Sequence, residues 1–123
     1  MVHVGFDPNF QQKKVPAFGN DLLPALVDTG AIMSFIDNDL ALKLALPVVD
    51  RQKISGSNGE HEVDTYLAQI HVPDLNFTVT GAFGGVGLHA GGQRHQVLMG
   101  RTFLQHFKMV YDGMTGDVEL IGR

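Results

Sequence analysis

The sequence Ala25-Leu26-Val27-Asp28-Thr29-Gly30-Ala31 places an acidic residue directly after an apolar run and two positions before a glycine. The apolar residues Leu22 to Val27 predict a buried strand, since short apolar runs bounded by turn residues are typical of core strands. Asp28 to Ala31 are expected to form a tight turn, which Gly30 permits because it has no Cβ. The carboxylate of Asp28 is therefore expected on a turn at the end of a buried strand.

Working outward from this turn, strand-like runs are many and helical periodicity is scarce. Gly, Pro, Asn and Asp separate these runs along the chain. This pattern is typical of an all-β domain that closes into a barrel or sandwich. Beyond the first strand, extended segments are predicted at Ser34–Ile36, Ile54–Val72, Asn76–Phe83, Gln96–Met99, Lys108–Asp112 and Asp117–Ile121.

Three segments are predicted to depart from strand structure. Asp37–Leu46 favours one short helical turn, capped at its start by Asp37 or Asn38 and stopped by Pro47. The glycine-rich stretch Gly84–Gly92 is interpreted as a mobile loop. Arg101–Phe107 is predicted to be a short helix, because its apolar residues are spaced to share one face.

Two extended arms within Ile54–Val72 flank the sequence Ser55-Gly56-Ser57-Asn58-Gly59. An Asn-Gly pair between extended arms is a strong signal for a β-hairpin. We therefore expect a hairpin whose tip carries Gly56, Ser57, Asn58 and Gly59.

Composition narrows the class of protein. The chain has 123 residues, 44% of them hydrophobic and 18% charged, with a formal net charge of -4 and no cysteine. This describes one domain spanning residues 1–123, with residues 1–14 as a flexible N-terminal arm, and no basic surface for nucleic acid. The absence of cysteine excludes disulfides and thiolate metal sites. The sequence predicts a cytoplasmic protein, or a domain of a longer or membrane-anchored one.

Carboxylates can hydrolyse a peptide bond when two of them share a site. One must be ionised to activate a water, and the other must be protonated to polarise the carbonyl group. The chain offers one turn of the Asp28 kind, followed much later by Val97-Leu98-Met99-Gly100-Arg101.

These two segments, in this order and with the glycine-bearing hairpin between them, resemble the retropepsin-like aspartic proteases. The resemblance implies an all-β acid protease barrel with one short C-terminal helix, which functions as a homodimer without a cofactor or a metal. It further implies that Asp28 is the catalytic acid, that Thr29 locks the two active-site loops together, and that Gly30 lets the substrate backbone approach. Peptide or protein would be the substrate, lying under two hairpins. The expected substrate-binding residues are Ala31, Ile32, Met33, Ile54, Gly56, Ser57, Asn58, Gly59 and Leu98.

The sequence departs from the viral pattern at one position of the loop. Viral members carry an acidic residue after the Asp-Thr-Gly-Ala word, which pairs with the later arginine, whereas this chain has Ile32. Arg101 therefore needs another partner, and Asp37, Asp112 and a carboxylate of the second subunit are the candidates. The overall pattern is closer to cellular and bacterial members of the family.

Other readings of the sequence are weaker. Gly85 to Ala90 fits a loose dinucleotide-binding word, but the glycines that follow forbid the helix this word requires. The six histidines show no pair at ligand spacing beside a carboxylate. Ser34 is expected to be a core or turn hydroxyl and not a nucleophile. The alternative function is a non-catalytic dimer that binds peptides or mediates assembly, since the fold alone does not decide activity.

Overall fold

The computed structural model describes residues 1–10, 16, 21–56, 59–88 and 92–122. Within this part the chain forms nine strands, two short α-helices and one 3-10 turn, which confirms the predicted all-β class. No helix among these residues has the length and apolar character needed to span a membrane. The elements are β1 (His3–Gly5), β2 (Ala25–Val27), β3 (Phe35–Asp37), α1 (Asn38–Lys43), β4 (Val48–Gly56), β5 (Gly59–Val72), the 3-10 turn Pro73–Leu75, β6 (Phe77–Val86), β7 (Val97–Met99), α2 (Arg101–Leu104), β8 (Phe107–Tyr111) and β9 (Val118–Gly122).

Seven strands form one sheet that curls into half a barrel, in the order β1-β5-β6-β3-β7-β2, with β4 also paired to β5. Strand β7 lies between β2, to which it is parallel, and β3, to which it is antiparallel. Strands β3 and β6 are parallel as well. Because β2 pairs with β7, and β3 pairs with both β6 and β7, residues that are far apart in the sequence lie side by side in the sheet.

The core takes residues from the sheet and from both helices. Ile36, Ala68, Ile70 and Val97 are fully buried, and Phe103 of α2 is 1% exposed. Burying one such phenylalanine contributes roughly 2–3 kcal/mol to folding. The core thus fixes α2, which directly follows β7, against the sheet.

The N-terminus differs from the expected flexible arm. Strand β1 pairs with β5, and Val2 forms a bridge with Leu23 and is 1% exposed. The apolar Val2 and Val4 are buried in the core, and this burial fixes the segment. Residues 11–14 of the expected arm lie outside the described residues.

The glycine-rich stretch was predicted to be a loop from Gly84, and this boundary is wrong. Strand β6 continues to Val86, because Gly84, Gly85 and Val86 pair with Phe35, Ile36 and Asp37 of β3. A Cβ on Gly85 would lie 2.5 Å from the ring of Tyr66, so glycine is needed there for close packing. Gly87 and Leu88 follow the strand, and residues 89–91 lie outside the described part.

The C-terminal helix is also shorter than predicted. It ends at Leu104, and Phe107 begins β8. The ring of Phe107 lies 4.9 Å from that of Phe77 and 5.3 Å from that of Phe103, so aromatic packing in the core takes Phe107 away from the helical face. Strands β8 and β9 form the predicted final hairpin as a separate two-stranded sheet.

The predicted central hairpin is formed by β4 and β5, whose pairing runs from Val48 with Tyr66 to Gly56 with Gly59. Pairing of β5 with β6 begins only at Thr65. In the described chain, residues 51–56 and 59–64 therefore extend past the sheet as a ribbon paired to itself. At the base of this ribbon, Arg51 forms an ion pair with Asp64, in which Nη1 lies 2.6 Å from Oδ1.

Two histidines face each other where β1 meets β5. His3 and His71 are register partners, with rings stacked 6.1 Å apart. His71 is 6% exposed, and its Nδ1 lies 2.8 Å from the hydroxyl of Thr78. Burial, and to a smaller extent the charge of His3, lowers the pKa of His71 below its ordinary value of 6.5.

This lowered pKa predicts a loss of stability in acid. The unfolded chain binds the proton more readily than the folded chain, so the free energy of unfolding should fall as pH decreases below about 6.5. His71→Gln should make this acid branch shallower, and the exposed His106→Gln is the control for replacing a histidine elsewhere. Denaturant unfolding followed over a pH series measures both, and equal slopes for wild type and His71→Gln would contradict the assignment.

Candidate active site

Asp28 lies immediately after β2 and is half-buried. Its backbone N–H donates to the carbonyl oxygen of Met99 at 3.0 Å, which extends the β2–β7 ladder by one bond. Its Oδ1 accepts the N–H of Gly30 at 2.9 Å, and the N–H of Ala31 donates to its carbonyl oxygen at 3.3 Å. The predicted turn is therefore present, and it orients the carboxylate. No hydrogen-bond partner for Oδ2 is seen among the described residues.

The rest of the loop is held by the segment that follows β7. The N–H groups of Arg101 and Thr102 donate to the carbonyl oxygens of Ala31 at 2.9 Å and of Ile32 at 3.0 Å. A Cβ on Gly100 would lie 2.8 Å from the carbonyl oxygen of Ala31 and closer still to that of Met33. Only glycine allows the two backbone segments to approach this closely.

The Asp28 side of the sheet carries a row of apolar side chains. Leu26 pairs with Leu98, and Leu98 pairs with Phe35, so these three residues share one face. Leu26 lies two residues before Asp28 and therefore on the same side of the strand. Leu26 is 38% exposed, whereas Ile36 and Val97 on the opposite face are fully buried. Leu98 was predicted to line the site, whereas Leu26 and Phe35 were not. The spacing of two residues between Leu26 and Asp28 would have indicated that both lie on the same face of the strand.

The other predicted loop residues lie at the surface of the single chain. Thr29 and Ile32 are exposed, Ile32 by 72% of its area, and Ala31 and Met33 are half-buried. The loop therefore exposes one polar side chain, Thr29, and one large apolar side chain, Ile32.

The predicted hairpin residues are brought together in part. Gly56 and Gly59 pair at the end of β4–β5, and Ile54 is described through its backbone pairing with His61. Ser57 and Asn58 lie outside the described residues. Among hydrogen bonds between described residues, none joins Gly56 or Gly59 to residues 28–34.

The other candidate carboxylates have structural roles. Asp37 is 2% exposed and caps α1 by accepting the N–H of Leu40 at 3.4 Å. Asp112 accepts the N–H of Met114 at 2.9 Å in the turn of the final hairpin. Arg101 is exposed and forms an ion pair with neither of these two carboxylates in the described chain.

Three surface cavities are lined by described residues, and Asp28 lines none of the three. The one with the greatest accessible space, about 680 Å³, lies at the base of the β4–β5 hairpin beside Tyr66. Among all the residues that the structure describes, no group of three or more acidic or histidine side chains is arranged to hold a metal ion.

Comparison with known families identifies a match. The sequence model of the family described as Aspartyl protease matches residues 15–103, which include the Asp28 turn, the β4–β5 hairpin and Gly100. No curated protein matches the sequence.

The close approach at Gly100 predicts a strong effect of a single methyl group. Gly100→Ala should lower the free energy of unfolding by about 3 kcal/mol, because the Cβ would meet backbone carbonyl oxygens that cannot move aside. Gly81→Ala is the matched control, since no atom lies within 4 Å of a Cβ at that position. Denaturant unfolding compares the two, and similar stabilities would contradict the described contact.

Proposed function

Because the chain belongs to the retropepsin-like aspartyl protease family, we propose that it is an aspartic endopeptidase whose single active site is built by Asp28 from each chain of a homodimer. The observation that carries the proposal is the Asp28 turn. It presents an oriented, half-buried carboxylate at the surface, with Oδ1 held by the N–H of Gly30.

The symmetry of the dimer follows from the chemistry. One chain supplies one Asp28 turn, whereas hydrolysis by carboxylates requires two groups close enough to share a proton. A two-fold axis beside the loop would bring the second Asp28 opposite the first. The exposed hydroxyl of Thr29 is then available to contact the second loop.

In the proposed reaction, the ionised Asp28 takes a proton from a bound water as the water oxygen attacks the peptide carbonyl carbon. The protonated Asp28 donates its proton to the carbonyl oxygen, which gives a neutral tetrahedral diol. Collapse of the diol breaks the carbon–nitrogen bond, and the amine leaves with a proton returned through the carboxylates. No covalent intermediate and no cofactor takes part.

Substrate binding would use the apolar row beside Asp28. Leu26, Leu98 and Phe35 form a wall on the Asp28 face, with Ile32 exposed beside it, which favours substrates with apolar side chains near the cut. The β4–β5 hairpin extends past the sheet and is proposed to close over the substrate, excluding water from the reaction.

The final hairpin supplies surface for the second chain. Strands β8 and β9 form a sheet of two strands, an arrangement that is marginal by itself in water. Four of its apolar side chains are more than 40% exposed, namely Val110, Tyr111, Val118 and Ile121. Burying them against a second copy would stabilise both the hairpin and the dimer.

Asp28→Asn should lower the rate of cleavage at least about a thousandfold, because an amide can neither ionise nor share an acidic proton. Asp74→Asn is the control, since Asp74 is exposed in the 3-10 turn Pro73–Leu75, outside the Asp28 loop and both hairpins. The assay is digestion of an unfolded protein, with and without a transition-state inhibitor of aspartic proteases. Activity retained by Asp28→Asn would refute the mechanism, and no cleavage by wild type at any pH from about 3 to 7.5 would favour a non-catalytic peptide-binding dimer.

Ala31 sets a further expectation for the pH dependence of activity. Two-lobed aspartic proteases usually carry a hydroxyl residue at this position, and a hydroxyl there can donate to the catalytic carboxylate and favour its charged form. Because alanine cannot donate, activity should peak in mildly acidic solution. Ala31→Ser should move the bell-shaped profile of kcat/KM toward lower pH. A profile that is unchanged, or that moves toward higher pH, would contradict this role of position 31.

A further inference from the structure

The Asp28 loop and the start of α2 are joined by a pair of hydroxyl groups. The Oγ of Ser34 lies 2.9 Å from the Oγ1 of Thr102, across 68 positions of sequence. The same Ser34 oxygen accepts the N–H of Gly100 at 3.0 Å. Ser34 is fully buried, whereas Thr102 is exposed.

This pair lies on the segments that the backbone bonds already bring together. Arg101 and Thr102 donate to Ala31 and Ile32, and the carbonyl oxygen of Ser34 accepts the N–H of Gly84 at 3.1 Å. Ser34 thus directly precedes β3 and forms hydrogen bonds with β6 and with the N-terminus of α2. It is the point at which the loop is tied to all three.

The ion pair that the viral pattern would place between these segments is absent. Ile32 carries no charge, and Arg101, the charged residue of α2 next to the loop, is exposed and forms no ion pair with a described residue. The hydroxyl pair is neutral, directional and partly buried. It therefore fixes the geometry of the loop without a charge that pH or salt can alter.

We propose that Ser34 and Thr102 are positioning residues for Asp28, and that their hydroxyl pair does in this chain what an acidic residue at position 32 and Arg101 do in the viral pattern. The inference rests on the proposed function, because it concerns the geometry of the same catalytic carboxylate. The path is short: Ser34 and Thr102 hold residues 31–34, the loop backbone places Gly30, and the N–H of Gly30 holds Oδ1 of Asp28. A shift of this loop would change the separation of the two carboxylates in the dimer, and with it the sharing of their proton.

The test compares Ser34→Ala, Ser34→Thr and Thr102→Val in the chain of 123 residues. Ser34→Ala and Thr102→Val should each lower kcat about tenfold or more with KM nearly unchanged, since misplacing a catalytic group costs rate more than binding. Both should also change the width of the bell-shaped pH profile. Ser34→Thr keeps the hydroxyl and should restore most of the rate.

Thr78→Val is the matched control. Its hydroxyl also takes part in a hydrogen bond between side chains, 2.8 Å from Nδ1 of His71, but Thr78 lies six positions along β6 from Gly84, the residue of that strand that donates to Ser34. This variant should keep the wild-type rate and pH profile. Thr102 is exposed, so Thr102→Val still decides the question if Ser34→Ala fails to fold.

A second readout separates this proposal from the proposed function. The carboxyl carbon of Asp28, labelled with carbon-13 and assigned by comparison with Asp28→Asn, reports its titration in the dimer without any cleavage. If wild type does not cleave, the proposed function fails, and a titration curve altered by Ser34→Ala or Thr102→Val still supports the positioning role. The positioning role would be overturned if these variants kept the kcat, pH profile and titration curve of wild type. It would also be overturned if the unfolded fraction alone explained any loss of activity.

Discussion

The backbone contact between the Asp28 loop and Gly100 is the constraint on which the site depends. Gly100 lies so close to the carbonyl oxygens of Ala31 and Met33 that no other residue fits. This approach lets α2 donate its first N–H groups to the loop, and it places β7 beside β2 so that Met99 accepts the N–H of Asp28. The orientation of the carboxylate is therefore set by a segment some 70 residues later in the chain.

The sheet turns this local contact into half of the proposed active site. The strands β2, β3 and β7 have three residues each. Their side chains Leu26, Leu98 and Phe35 lie on the face that carries Asp28. Val97 and Ile36, on the opposite face, are buried in the core. The β4–β5 hairpin leaves the sheet beyond Thr65, and the β8–β9 hairpin stands apart from it. Thr29 and Ile32 are exposed beside Asp28, as expected for a loop that contacts the second chain of the proposed dimer.

The parts of this site that could be predicted are those encoded locally. An apolar strand ending in Asp28-Thr29-Gly30 determines its own turn, and an Asn-Gly pair between extended arms determines a hairpin. The link between Ser34 and Thr102 was not predictable, because a serine at this position looks like any core hydroxyl until the fold brings Thr102 to it. The ends of β6 and α2 were misjudged for a related reason. Gly84 and Gly85 favour a loop by propensity, and Phe107 favours the helical face, but strand pairing in one case and aromatic packing in the other outweigh these local preferences.

The central claim is that two chains share one catalytic site, and subunit mixing tests it most directly. Wild-type chain is exchanged with a ninefold excess of Asp28→Asn chain, and activity is measured per wild-type chain. Random pairing leaves most wild-type chains in mixed dimers with one ionisable carboxylate, so activity should fall to roughly a tenth. Activity per wild-type chain that stays constant on mixing would show that one chain is active by itself, and it would contradict the account.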